Sequence, residues 1–335
     1  MSDQITVAID AMGGDHAPSA PVKGAVLAAR NTQTKILLVG DQGPVEAELE
    51  KHDTEGLPIS VIGSEGKIED SEAPALALRQ KPRSSVLVAT GLVKAGTADA
   101  VISMGSTGGS MAAAVVILGT IKGIERPAIG GPIVGSAPNQ TIVDLGSNID
   151  CKPSQLLGFG ILGSVFSKIL LNIDDPKIGV LSVGSEQSKG NSLTKEASSL
   201  FSKSGLNFIG NVEGNDLVKG TADVVVCDGF VGNIALKTGE GVAGLLIELL
   251  EQAFTRSMYG RFVGLLARPI IGRLLQLMDP SRHNGASLLG LQGVVIKSHG
   301  NANERAMLAA IRQAVREVQL EVPRRINERL DDLML

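Results

Sequence analysis

Short β-branched runs alternate with longer stretches of helical periodicity along almost the whole chain. That alternation restricts the fold more than any other feature of the sequence. Strand-like runs occur at Ile5–Ile9, Lys35–Val39, Ile59–Ile62, Ala100–Ser103, Ile129–Val134, Thr141–Asp144, Lys177–Ser182, Asp223–Cys227 and Gly293–Lys297. Helical patterns fill the intervals, as at Pro21–Arg30, Thr107–Leu118, Ser154–Leu170 and Leu193–Lys203. Strand, helix, strand, repeated, predicts an α/β fold with a predominantly parallel sheet flanked by helices. Aromatic residues make up only 2% of the chain, so the core must come from Val, Ile, Leu and Ala, which suits buried parallel strands. No low-complexity linker divides residues 1–335, which read as a single α/β catalytic domain with two lobes around a cleft. From Ala302 the pattern is helical to Leu320, and Pro323 stops or restarts it.

Several classes of function are set aside at this level. The net charge is −4 and no basic run interleaves with aromatics, so nucleic acid is not an expected partner. Cys151 and Cys227 lack CxxC spacing, which fits reduced thiols and a cytoplasmic location. The N-terminus shows no signal-peptide pattern. No window of about 18 uncharged apolar residues stands out, so no membrane span is expected.

The chemistry is expected at the carboxyl ends of strands, where α/β folds gather ligands. Six such junctions carry glycine and polar residues. They are Asp10 through Gly13-Gly14-Asp15-His16, Ser103 through Gly105-Ser106-Thr107-Gly108, Asp144 through Asn148 to Lys152, Ser182 through Lys189-Gly190-Asn191, Asp228 through Gly232-Asn233, and Ser298-His299-Gly300. Glycines admit close backbone approach, and helix N-termini present unpaired N–H groups, so the pattern suits an anion. Turn formation and helix capping by Gly, Ser and Asn are the competing explanation at each junction. None of the six matches a nucleotide P-loop, and no GxGxxG follows the first strand. Asp10, Asp15 and His16 fit no metal spacing, so no metal is expected. Asp150 beside Cys151 opposes a thiolate, which favours a structural over a nucleophilic cysteine.

Together these junctions resemble the phosphate acyltransferases of bacterial phospholipid synthesis, the PlsX family, over about Ile5 to Asn303. The resemblance rests on Asp10–Pro18, Asp144–Pro153, Lys189-Gly190-Asn191, Gly210–Asp216, Asp228–Asn233 with Leu236-Lys237-Thr238, and Gly285–Gly300. One departure is Ser106, where the family commonly has Asn. The resemblance implies a fold akin to isocitrate and isopropylmalate dehydrogenases and to phosphotransacetylase. It implies that inorganic phosphate attacks a fatty acyl thioester of acyl carrier protein, giving acyl phosphate without a cofactor. It further implies a homodimer passing its product to a membrane glycerol-3-phosphate acyltransferase, from the inner face of the membrane. Such a reaction needs positioning and an oxyanion donor. Lys189 and Asn233 are the expected catalytic residues, with Asn191 and Lys152 supporting. Asp10, Gly13, Gly14, Asp15, His16, Ser106, Thr107, Gly108, Asn148, Gly190, Asp228, Gly232 and His299 are expected to bind substrate or phosphate. A decarboxylating nicotinamide-dependent dehydrogenase and a non-catalytic lipid- or carrier-binding module are the alternatives. The first lacks its acidic metal cluster and Arg residues at these junctions.

One segment stands apart from the alternation. Within 243–284, a helical hairpin insertion, residues Ser257–Met278 contain an apolar pattern repeated after twelve positions. Met258, Phe262, Leu265 and Leu266 correspond to Ile270, Leu274, Leu277 and Met278, with Leu275 in the second set. At about 100° per residue each set covers an arc of about 160°. Pro269 is expected to break the segment into two short helices. Four arginines and no acid lie between Thr255 and Met278, which suits an anionic membrane surface or an acyl-lined groove. Packing on the protein's own core or across a dimer interface is the alternative.

Overall fold

The computed structural model describes residues 4–131, 140–278 and 285–333, with the side chains at 270, 271, 273–278 and 331–333 excepted. One 11-stranded sheet runs through the molecule. Its strands are β1 (Thr6–Asp10), β2 (Lys35–Gly40), β3 (Ile59–Gly63), β4 (Ala100–Ser103), β5 (Ala128–Gly131), β6 (Thr141–Val143), β7 (Ile178–Leu181), β8 (Phe208–Val212), β9 (Val224–Val226), β10 (Ala286–Leu289) and β11 (Val294–Lys297). They lie in the order β3-β2-β1-β4-β11-β10-β5-β6-β9-β7-β8. The expected strand Ile129–Val134 is seen as β5, and its residues 132–134 lie outside the described residues.

The sheet has two halves of opposite sense. β1 to β4 and β11 run parallel to one another. β10 pairs antiparallel with both β11 and β5, and β5 pairs antiparallel with β6. From β6 onward the strands β9, β7 and β8 are again mutually parallel. Three reversals in succession leave β6–β9 pointing opposite to β1–β4. Local sequence does not announce this, because β10 (Ala-Ser-Leu-Leu) has no β-branched residue.

Alternating side chains explain how both faces are covered. Val7, Ile9, Ile36, Leu38, Ile102 and Ile296 point into one core with helices α1 (Ser19–Asn31) and α11 (Glu304–Gln319). Gly24 lets α1 and α11 touch, since a Cβ there would stand 2.4 Å from Met307 Cγ. The intervening residues Ala8, Leu37, Val101 and Val295 point the other way, into a core that continues through Ile129, Ile142 and Val225 into the second half. That shared face carries α4 (Ser85–Lys94), α5 (Thr107–Ile117) and the start of α9 (Gly229–Thr255). A third core, behind the second half, is built on α6 (Pro153–Leu171), α7 (Ser192–Phe201) and α12 (Val322–Leu333). Smaller helices α2 (Gln42–Leu49), α3 (Pro74–Gln80) and α8 (Asp216–Lys219) complete the connections.

The helical excursion differs from expectation in two ways. Ser257–Met278 is not a pair of short helices: α10 (Met258–Met278) is continuous, with Pro269 inside it. It packs against α9, which begins at Gly229, well before residue 243. By length and composition α6 and α9 are both apolar enough to cross a membrane, although each carries charged residues, as Lys168 in α6 and Glu240 in α9. In α6 more than half of that stretch is buried in the core, whereas in α9 only 6% is. Interspersed glycines and a few charges hid α9 from a search for uninterrupted apolar sequence.

Candidate active site

The six glycine-bearing junctions do not meet at one point. Because the two halves of the sheet oppose each other, they divide into two groups of three.

The first group follows β1, β4 and β11, which are neighbours in the sheet. Asp10 is buried at the end of β1 and accepts hydrogen bonds from Ser103 Oγ (2.7 Å) and the Met12 N–H (3.2 Å). Burial raises its carboxyl above the ordinary value, against the bonds it accepts. Gly13 has no room for a side chain, since a Cβ would lie 2.5 Å from Gly105 N. Gly14 takes a positive φ of 89°. Asp15 N–H donates to Gly300 O at 2.7 Å, joining the first junction to the third. Asp15 and His16 themselves are exposed. Ser106 caps α5, its Oγ accepting from Gly109 N–H at 3.2 Å. Serine performs that capping task as well as asparagine does. Thr107 and Gly108 form the first turn behind it.

Sequence reasoning did not single out Lys297 and Lys237 as site residues. Lys297 ends β11 and its Nζ donates to Ser298 O. Burial pulls its ammonium down to about 8, while Asp70 and Asp10 oppose the fall. His299 Nε2 lies 3.0 Å from Glu240 Oε1, and Lys237 Nζ lies 2.9 Å from Glu240 Oε2. His299, with Lys237 helping, holds the Glu240 carboxyl down at about 2. The only earlier sign was that both lysines lie inside the longer motifs ending at Thr238 and Gly300.

The second group follows β6, β9 and β7, again neighbours. Its centre is Asp144, which is fully buried. One carboxylate oxygen accepts from the N–H groups of Ile129, Gly146 and Ser147 and from Ser147 Oγ, at 2.6–3.2 Å. The other accepts from Asn148 N–H (2.7 Å) and Asn148 Nδ2 (2.8 Å). Asn148 Nδ2 also donates to Pro127 O, so the amide nitrogen is taken up inside the turn. Gly232 packs on the backbone of this turn so tightly that a Cβ would stand 1.8 Å from Asp144 O. Gly229 N–H donates to Asn148 O at 2.7 Å. The next residue after Gly232 is Asn233, exposed, with its Cβ 3.4 Å from where a side chain on Gly146 would begin. Asp228 caps α9, accepting from Val231 N–H at 2.8 Å.

Beside these, Lys189 is exposed on the turn after β7, against Gly184. Gly190 has a φ of 103°, and Asn191 caps α7 through Thr194 N–H at 2.9 Å. Lys152 is exposed at the N-cap of α6, and its backbone N–H donates to Gln155 Oε1. Capping thus occupies the side-chain oxygens of Ser106, Asn191 and Asp228, while Lys189, Asn233, Lys152, Asp15 and His16 remain presented to solvent. Cys151 is half-buried, and burial with Asp144 and Asp228 nearby pushes its thiol up to about 12. Cys227 is buried and pushed higher by the same causes. Neither thiol is activated as a nucleophile.

Helix α9 connects the two groups. It starts in the second and, about 18 Å further along its axis, places Glu240 against His299 of the first. Helix α5 starts in the first group and ends near Gly119, whose carbonyl accepts from Gln292 N–H at the beginning of β11. Between α5 and the Gly146–Ser147 turn lies a cleft of about 370 Å³. Beyond Glu240 the hairpin exposes Leu245, Leu246 and Leu249 on α9, and Met258, Tyr259, Phe262, Leu265 and Leu266 on α10. The side chains of Ile270, Leu274 and Leu275 lie outside the described residues.

Comparison with solved structures shows the same fold. A phosphotransacetylase from Streptococcus pyogenes superposes with a TM-score of 0.62 at 19% identity, covering 95% of each chain. A 4-hydroxythreonine-4-phosphate dehydrogenase from Burkholderia phymatum gives 0.52 at 16% identity, covering 93% of this chain and 98% of its own. Sequence relatives are far nearer. The phosphate acyltransferase of Marinobacter nauticus is 56% identical over 333 residues, 99% of this chain and 97% of its own. That of Alkalilimnicola ehrlichii is 44% identical over 336 residues, covering 100% and 98%. The model of the family described as fatty acid synthesis protein matches residues 5–325. An α/β fold on one large sheet, a family match over residues 5–325 and relatives of this identity make the chain an enzyme that belongs to the phosphate acyltransferases of the fatty acid synthesis protein family.

Proposed function

We propose that the enzyme transfers a fatty acyl group from the thioester of acyl carrier protein to inorganic phosphate, releasing acyl phosphate and the carrier thiol. The observation that carries this reading is the second junction group. It presents an amide, Asn233, beside the Asp144 turn and a cation, Lys189, on the loop after the nearby strand β7, both to solvent, and neither of its thiols is activated as a nucleophile. Phosphate is an adequate nucleophile once its charge is held, so the site's task is to position it and to receive the developing oxyanion. Lys189 balances the phosphate charge, and the Asn233 amide donates to the thioester oxygen as the carbonyl carbon becomes tetrahedral. A phosphate oxygen forms the new C–O bond, the C–S bond breaks, and the departing thiolate takes a proton from solvent. Lys152 and the backbone N–H groups of the capped helices support the anion. His16, Asp15 and the Lys297–His299 stretch, across the cleft, suit the polar carrier arm.

The hairpin supports a further part of this reading. An exposed apolar face with Arg256, Arg261 and Arg268 around it suits both a second copy of the chain and an anionic lipid surface. In this reading the enzyme is a cytoplasmic homodimer resting on the inner face of the membrane. There it passes acyl phosphate to a membrane glycerol-3-phosphate acyltransferase.

The test is incubation with palmitoyl-loaded carrier protein with and without phosphate, trapping acyl phosphate with hydroxylamine. Phosphate-dependent hydroxamate with matching thiol release is expected. Thiol release independent of phosphate would identify a thioesterase and defeat the proposal.

A further inference from the structure

Helix α5 has two distinct faces. Gly109, Ser110, Ala113 and Ala114 are buried against the sheet and its neighbouring helices. The opposite face repeats at i, i+1, i+4 and i+5, where Met111, Ala112, Val115 and Val116 lie along the cleft whose far wall is Gly146 and Ser147. The helix contains no charged residue. A surface helix ordinarily sets charged side chains outward, yet here Val116 is 73% exposed and Met111, Ala112 and Val115 are only half-buried.

We infer that this groove holds the hydrocarbon chain of the acyl substrate, with Ala112 and Val116 deciding how much chain it accepts. The inference rests on the reaction proposed above. Three observations select this occupant. The groove is concave and its α5 wall is apolar from Met111 to Val116, with hydroxyls only at its ends, Thr107 and Ser147, of which Ser147 is already bonded to Asp144. Its far wall is the turn that abuts Asn233, so a chain lying there is joined directly to the reacting carbonyl. The stripe from Thr107 to Val116 extends for about 13 Å along the helix, a length suited to a hydrocarbon chain. Ala112 sits mid-stripe, where its small side chain leaves the groove open.

The test compares octanoyl- and palmitoyl-loaded carrier protein, with hydroxamate formation as the readout. For Ala112→Phe, kcat/KM with palmitoyl falls while octanoyl is spared, by about fourfold for each methylene displaced into water. Val116→Asp, at a position needing no repacking, raises KM for palmitoyl only. Retained octanoyl turnover in each variant reports an intact fold. A polyene fatty acid followed by its fluorescence gives a readout without turnover: wild type binds it and Val116→Asp binds it at least tenfold more weakly. Equal losses for both chain lengths, unchanged chain preference, equal probe binding, or a change of oligomeric state without a change of preference each overturns the inference. Absence of hydroxamate from wild type with either substrate would instead defeat the proposed reaction, while the probe measurement would still decide the groove.

Discussion

Replacing Asp144 by alanine tests whether a buried carboxylate organises the reacting side of the cleft. Of the six donors it receives, three have other acceptors: Asn148 Nδ2 reaches Pro127 O, Ile129 N–H reaches Ser147 Oγ, and the Ser147 hydroxyl can rotate. The N–H groups of Gly146, Ser147 and Asn148 have none in the turn. Stranding a buried donor costs about 1–3 kcal/mol, so three give about 5 kcal/mol after water enters the space vacated. Unfolding entropy near 2.1 cal/mol/K per residue gives about 0.7 kcal/mol/K for a chain of 335 residues. The melting temperature should therefore fall by about 7 °C, read by circular dichroism. Activity should be lost at temperatures where the variant is still folded, because Gly146 no longer holds its place against Asn233. A fall below about 2 °C with normal turnover would refute the account of the turn.

Lys189→Ala should lose on the order of 10²–10³ in rate with an unchanged melting temperature, since the side chain is exposed; near-normal turnover removes Lys189 from the mechanism. Cys151→Ser and Cys227→Ser should retain phosphate-dependent turnover, and an acyl-enzyme trapped on Cys151 would contradict direct attack. Glu317, buried beside Ser287 and Gln313, is pushed up by burial to about 7. Between about pH 4.5 and 7 the folded state binds more protons than the unfolded one, so its contribution to stability declines through that range and stays low above it. Glu317→Gln should accordingly raise the melting temperature at pH 8 and leave it unchanged at pH 4.5; a pH-independent difference would show that charge is not the cause. Leu265→Glu combined with Leu266→Glu should weaken co-sedimentation with anionic vesicles, and a folded variant that binds as tightly as wild type excludes lipid contact by α10.

Much of the architecture was legible because buried parallel strands leave a strong local trace. The runs at Ile5–Ile9 and Ala100–Ser103 became β1 and β4 within a residue, and Leu193–Lys203 became α7. What local sequence does not encode is direction. β10 is four residues of weak strand character, yet with β5 and β6 it makes the three antiparallel pairings that turn the second half of the sheet and separate the junctions into two groups. β8 (Phe-Ile-Gly-Asn-Val) escaped notice because glycine and asparagine read as a turn. Hydrogen-bond economy is equally hidden. Ser106, Asn191 and Asp228 look alike to a reader searching for ligand donors, and only geometry shows each one holding a helix end. Asp144 and Lys297 lay inside conspicuous motifs, but burial, which gives them their character, is a property of the assembled fold. The proline in α10 misled for a related reason. Its pattern is that of a helix start, whereas the observed helix continues through it.

The placement of β10 and β11 has a consequence for how the chain acquires its structure. These strands come from residues 286–297, yet they occupy the middle of the sheet, between β4 and β5. Until they are synthesised, the β1–β4 half ends at an uncovered β4 edge and the other half at an uncovered β5 edge, both lined with unpaired backbone groups. β11 must find β4 across nearly two hundred residues, a sequence separation that makes the joining step slow. A nascent chain stopped before Gly285 therefore exposes two sticky borders and has no seam to unite them. The stretch from Gly285 onward acts as a keystone, and the cleft cannot exist before it is set.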